Sequence, residues 1–140
     1  MQLGPIQKAW VKNLREHPER QTSCMLGLKC NSGEDTPYLA CCLGEALLTL
    51  HRMKDGNDDN AFVFDEEYDE WKIMDGRDGK CLGSSWERLG LRDPSGEIFE
   101  DEPEWEVYNS LAEMNDAGIS WPEIADFIEE NPETVFTKSV

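Results

Sequence analysis

One apolar stretch constrains this chain more than any other feature: Tyr38 to Met53, opened by Pro37. Nothing else in the 140 residues is apolar over a comparable length, so the rest must pack around it. Its Leu, Ala and Cys content and its length predict a central buried helix rather than a strand. Upstream, Pro5 to Arg15 reads as a helix, with Ile6, Trp10 and Leu14 recurring every four residues as a buried stripe and His17-Pro18 ending it. Residues 20–36 read as a loop with a short apolar stretch at Met25–Leu28. Downstream, Asp55–Asn60 reads as a turn, and Ala61–Phe64 and Trp71–Met74 as the strands of a short hairpin, closed by a turn at Asp75–Gly79. Ser84 to Leu89 reads as a short helix capped by Ser84 or Ser85 and ended by Gly90. Val107, Leu111 and Met114 mark the next helix. Ser120 with Glu123 forms a capping pattern for the last one, whose apolar face is Ile124, Phe127 and Ile128 and which Asn131-Pro132 ends. The expected fold is α+β: one mainly helical domain over residues 1–140, with a basic N-terminal helix and loop (1–36), a central helix (37–53), an acidic hairpin region (54–83) and C-terminal helices (84–132) that include a helical hairpin.

Charge narrows the function classes. The formal net charge is −17, which argues against direct nucleic-acid binding and against docking on anionic membranes. No apolar run approaches the roughly 20 residues of a membrane span, and Met1–Arg20 lacks the apolar core of a signal peptide, so a cytoplasmic protein is expected. The charge is unevenly spread. Residues 1–30 carry Lys8, Lys12, Arg15, Arg20 and Lys29 against Glu16 and Glu19, whereas Asp93–Thr137 contains no Lys or Arg. An acidic half of this kind serves solubility, or imitates the phosphate array of a nucleic acid toward a basic partner.

Candidate chemistry is sparse. Cys24, Cys30, Cys41, Cys42 and Cys81 lack the paired spacing of zinc knuckles and read as thiols buried in a reducing compartment. Asp55, Asn57, Asp59 and Glu66 match positions 1, 3, 5 and 12 of a calcium loop, but Asn60 stands where glycine makes the sharp turn, and an acidic hairpin turn is the simpler reading. Residues 107–130 have the outline of a helix-turn-helix, yet the second helix offers Glu123, Asp126, Glu129 and Glu130 where base contacts need Arg, Lys, Asn or Gln. Neither His17 nor His51 adjoins a nucleophile motif, and no glycine-rich phosphate loop occurs. No catalytic residue, metal or cofactor is implied.

Three blocks carry a resemblance. They are Tyr38-Leu39-Ala40-Cys41-Cys42-Leu43-Gly44, Trp86-Glu87-Arg88-Leu89-Gly90-Leu91, and Leu111–Gly118 continuing into Trp121–Glu129. In this order they resemble a widespread family of small phage and prophage proteins that carry an aromatic-Cys-Cys-Leu-Gly motif, a Trp-Leu-Gly-Leu motif and a Leu-Asn-Asp-x-Gly ending that runs into Glu-Ile-Ala-Asp. Gln21, placed after the first helix, fits the same pattern. The resemblance implies a phage accessory protein acting in the cytoplasm of an infected bacterium, where such proteins often oppose host defence. On that context two functions are expected. The first is non-enzymatic sequestration of a small nucleotide-derived immune signal, with Trp10, Arg15, Arg20, Gln21, Lys29 and Tyr38 lining a pocket for phosphate and base and Asn115 and Asp116 reading ribose or base edges. The alternative is an acidic DNA mimic that inhibits a basic host protein, its working charge around Glu100–Glu106. Self-association into a homo-oligomer stays open.

Overall fold

The computed structural model describes residues 1–30, 36–76, 79–98 and 108–140. Helix α1 spans Pro5–Glu16, and Ile6, Trp10, Val11 and Leu14 form its buried stripe, as the four-residue spacing predicts. Fully burying a side chain such as Leu14 contributes about 2 kcal/mol. Gln7 is buried on the same helix but fully satisfied. Its Oε1 accepts from Gly4 N–H, and its Nε2 donates to the carbonyls of Leu89 and Lys138 at 3.1 and 2.9 Å. It thereby ties the first helix to two later segments.

The apolar stretch is not one helix. Tyr38–Ala40 is strand β2, paired antiparallel with β1, Gly27–Lys29, and helix α2 begins only at Cys42 and runs to Asp55. The expectation of a helix from Tyr38, and of a loop throughout 20–36, is corrected at both places. The physical reason is the cap at Cys41. Its backbone is extended (ψ 172°), its sulfur accepts from Gly44 N–H at 3.4 Å, and its own N–H donates to the Leu26 carbonyl at 3.0 Å. Sulfur is a weak acceptor, and cysteine is no usual sign of a helix start. Gly56, in the left-handed conformation, ends α2.

The hairpin is present as β3, Phe62–Asp65, and β4, Glu70–Ile73, in the register Phe62–Ile73, Val63–Lys72, Phe64–Trp71 and Asp65–Glu70. It belongs to a four-stranded antiparallel sheet in the order β2-β1-β4-β3. The buried ends of these strands, at Ala40, Phe62 and Ile73, join α2 in one core with α1 and the C-terminal helices.

Ser84 and Ser85 do not cap a helix. A single 3₁₀ turn, Glu87–Leu89, has Trp86 at its start and left-handed Gly90 at its end. The serines serve Asp75 instead: its Oδ2 accepts the N–H groups of Gly83, Ser84 and Ser85, and its Oδ1 the Ser85 hydroxyl. Helix α3 is Leu111–Asp116, capped by Ser110, and α4 is Trp121–Glu130, capped by Ser120, with Pro122 in its first turn. Together they are the expected helical hairpin. A further short helix, α5, follows at Pro132–Val135. The expectations at Val107, at Arg77-Asp78 and at Glu100–Glu106 lie outside the described residues.

Gly44 is where α2 meets β1. A Cβ there would stand 1.9 Å from the Leu26 carbonyl oxygen, a backbone atom that cannot swing away. At Gly118, by contrast, φ is +89° and a Cβ would meet nothing within 4 Å. Gly118→Ala is expected to cost only the left-handed backbone penalty, roughly 1 kcal/mol. Gly44→Ala is expected to cost about 3 kcal/mol, read as a lower urea midpoint at unchanged m-value. Equal losses in the two variants would refute the close-packing account.

Candidate functional site

The eight residues singled out in the sequence fall into separate places. Trp10 lies in the core with no exposed surface, its indole N–H donating to the Cys42 carbonyl at 2.9 Å. Arg15 is on the outer side of α1, where its guanidinium meets Glu129 and Asp126 of α4 at 2.8 and 2.9 Å. These carboxylates raise its pKa. Lys29 projects from β1 with its ammonium 4.6 Å from the Phe62 ring centre and 5.6 Å from that of Trp71.

Arg20 and Tyr38 belong to a half-buried polar network on α2. The Tyr38 hydroxyl donates to Glu45 Oε2 at 2.6 Å and accepts from Arg20 and Arg52 at 3.0 and 3.2 Å. Arg52 also bonds Glu45 Oε1 and Asp58. Glu45 has no exposed surface, and burial pushes its carboxyl above the usual range although Tyr38 and Arg52 oppose the shift. Burial likewise raises the Tyr38 phenol, with the Glu45 charge adding to it. For Arg52 burial acts downward, but Tyr38, Glu45 and Asp58 outweigh it and the pKa rises.

Gln21, Asn115 and Asp116 do come together. With Pro18, Thr22, Ser23 and Gly118 they line an open cleft of about 480 Å³. Asn115, 2% exposed, is its base. The Asn115 Oδ1 accepts from Cys42 N–H, Gln21 Nε2 and Trp121 Nε1 at 3.0, 3.2 and 3.2 Å, while its Nδ2 donates to the Thr22 carbonyl at 2.6 Å. Gln21 is equally engaged, donating to the Ile119 carbonyl and accepting from Trp121 N–H. Asp116 accepts from Cys24 N–H at 2.9 Å, and Cys24 itself has a positive φ of 65°. The cleft floor is therefore a saturated hydrogen-bond knot joining the starts of α2 and α4, and the side chains lining it include no cation.

Other candidates resolve differently. Cys41 and Cys42 are buried, as expected, and burial pushes the Cys41 thiol up to about 11 and the Cys42 thiol well above its ordinary value, so neither has the thiolate character of a nucleophile. The expectation of buried thiols is corrected at Cys24, which is exposed, and at Cys30 and Cys81, which are half-buried. The calcium-loop positions diverge. Asp55 pairs with His51, Asn57 accepts from Asp59 N–H, and the segment passes through a 3₁₀ turn into β3. Among the described residues no group of three or more His, Cys, Asp or Glu side chains could hold a metal ion. Nor is any described helix long and apolar enough to cross a membrane.

One surface was missed in the sequence. On the hairpin Val63, Phe64, Tyr68 and Trp71 are 42, 40, 63 and 47% exposed, and the Phe64 and Trp71 rings meet across the strands, tilted by 57° with centres 5.3 Å apart. Aromatic and β-branched residues are ordinary strand formers, so alternation alone did not mark them as surface. The chain matches no protein-family model, no curated protein and no solved structure.

Asn115→Ala is expected to leave Cys42 N–H and the Trp121 indole N–H without their partner and to cost about 3 kcal/mol in chemical denaturation. A loss below about 1 kcal/mol would show that water replaces the amide without penalty. Glu45 predicts a pH dependence. Below the ordinary carboxylate range it is protonated folded and unfolded alike. As pH rises through its raised folded pKa, the folded chain must hold a buried charge that the unfolded chain keeps in water, and stability is lost. Wild type is therefore expected to lose stability relative to Glu45→Gln as pH rises above the ordinary carboxylate range. A pH-independent difference between the two denaturation profiles would refute the assignment.

Proposed function

We propose that this is a phage-encoded, non-enzymatic protein that acts in the cytoplasm of the infected bacterium by docking its anionic surface on a basic host protein. The observation that carries the reading is how charge is distributed between interior contacts and solvent. Most of the cations that a phosphate-binding head would need already have contacts, although Lys8, Arg15 and Lys29 are exposed and Arg20 Nε has no hydrogen-bond partner among the described residues. Arg15 is held by Asp126 and Glu129, Arg20 by Tyr38, Lys29 rests over aromatic rings, and Arg52 pairs with Glu45 and Asp58. On α4, Glu123 and Glu130 are exposed and form no ion pair with a described residue. A surface of this sign is suited to sites that otherwise hold nucleic acid. The phage resemblance of the three sequence blocks supplies the host context.

A second reading, capture of a small nucleotide-derived immune signal, is favoured by one observation: the cleft that Gln21, Asn115 and Asp116 line.

Binding to basic nucleic-acid-binding proteins purified from a bacterial host tests the first reading. Affinity is expected to fall about tenfold or more between roughly 50 and 200 mM salt, and duplex DNA is expected to compete. The double variant Glu123→Gln, Glu130→Gln is expected to bind more weakly. Salt-insensitive binding would sink the proposal. Calorimetry with cyclic dinucleotides and cyclic ADP-ribose isomers decides between the readings, since heat at high micromolar ligand belongs only to the second.

A further inference from the structure

The two edges of the sheet are finished differently. The β2 edge is covered: Gln21 bridges to Ala40, and Thr22 N–H donates to the Ala40 carbonyl at 2.8 Å. The opposite edge, β3, is paired only with β4 among the described residues. Met74 N–H donates to the Ala61 carbonyl, so by the antiparallel alternation Val63 and Asp65 turn their backbone groups to β4, and Phe64 turns its own outward. Phe64 is also the residue whose ring packs against Trp71. Among the described residues, a backbone edge without a strand partner and a half-exposed aromatic pair thus occupy the same place. Of the devices with which folded proteins blunt such an edge, β3 is short and ends in Asp65, but it has no lysine, proline or bulge.

We infer that the β3 edge, with the Phe64–Trp71 ring pair beside it, is an anchor on which an extended cationic segment of a partner protein adds as a further strand. The inference rests on the anionic-docking reading and names the place where that docking is anchored. Charge selects the occupant. Exposed Glu66, Glu67 and Asp69 form the tip of the hairpin, and Asp59 stands exposed just before β3. A second copy of this chain would bring like charges together on a background of −17 each. A segment alternating Lys or Arg with apolar residues matches instead. Its backbone meets Phe64, its apolar side chains cover the rings on one face, and a cation at the end of the segment reaches the acids of the hairpin tip. The sheet already shows how cations rest here, with Lys29 over Phe62 and Trp71 and Lys72 Nζ 4.5 Å from the Tyr68 ring centre.

The test uses a capped heptapeptide of alternating lysine and valine, and the same peptide with alternate backbone amides N-methylated. Binding is followed in every variant by the amide resonances of Val63, Asp65 and Lys72 in the full chain, and in the wild type also by hydrogen exchange at Phe64. Wild type is expected to show a saturable shift and slowed exchange at Phe64 at up to about 1 mM peptide. Phe64→Pro removes an outward N–H without touching the β4 ladder, and is expected to weaken binding about tenfold, as is N-methylation of the peptide. Trp71→Ala, which leaves the backbone intact, is expected to weaken it several-fold and stands in should the proline variant fail to fold. Peptide binding that both variants leave unchanged overturns the inference but not the anionic-docking reading. So does absence of peptide binding when basic host proteins bind in a salt-dependent manner. If neither binds, the reading falls and the inference with it. A concentration-dependent dimer abolished by Phe64→Pro also overturns the inference, since the occupant is then a second copy.

Discussion

The amide of Asn115 fixes how four parts of the chain meet. Its oxygen takes donors from α2, from the indole at the start of α4 and from Gln21, and its nitrogen reaches the loop after α1. Cys42 N–H and the Trp121 indole N–H lie where water has little access, so each would carry a desolvation cost if left alone. A buried polar side chain that is completely satisfied specifies one arrangement of its neighbours, because no shifted packing would supply the same four partners. The hydrophobic core supplies most of the driving force, but apolar contact is non-directional. Directionality comes from this amide, from Gln7 between Gly4, Leu89 and Lys138, and from the Asp75 carboxylate that gathers the loop at Gly83–Ser85.

The three motif-bearing sequence blocks take on a consistent role in this light. Tyr38 anchors the ion network, Cys41 caps α2, Gly44 admits the Leu26 carbonyl, Gly90 makes a left-handed turn and Asn115 centres the knot. These are requirements of the scaffold. The aromatic hairpin lies outside these blocks, whereas the acids of α4 up to Glu129 fall within the third. A fold held by one set of residues can present a binding surface built from another.

Legibility in the sequence followed periodicity. Helix α1, the hairpin and α4 were readable because their apolar spacing and their boundary residues agree. The start of α2 was not, because Leu39 and Ala40 suit a helix as well as a strand and the boundary rests on a sulfur acceptor. Strand β1 has three residues, too few for alternation to register. Asp75 looked like turn chemistry, and its actual partners are eight to ten residues away. At the candidate site all eight residues are expected in one pocket, whereas only Gln21, Asn115 and Asp116 come together, and Gln21 and Asn115 turn their polar atoms to one another. Composition shows which charges exist and not which of them are already paired, so the basic head looked more available than it is.

The bond from Cys42 N–H to the Asn115 side chain also bears on the order of folding. A helix start is normally satisfied by a cap close in sequence, which lets its first turn nucleate early. Here that amide waits for a residue 73 positions further along. The first turn of α2 has local bonds, from Glu45 N–H to the Cys41 carbonyl and from Gly44 N–H to the Cys41 sulfur, but Cys42 N–H gains its partner only once α3 has docked, which ties the two halves together. Amide exchange at Cys42 reports the lifting of α3 rather than the fraying of α2.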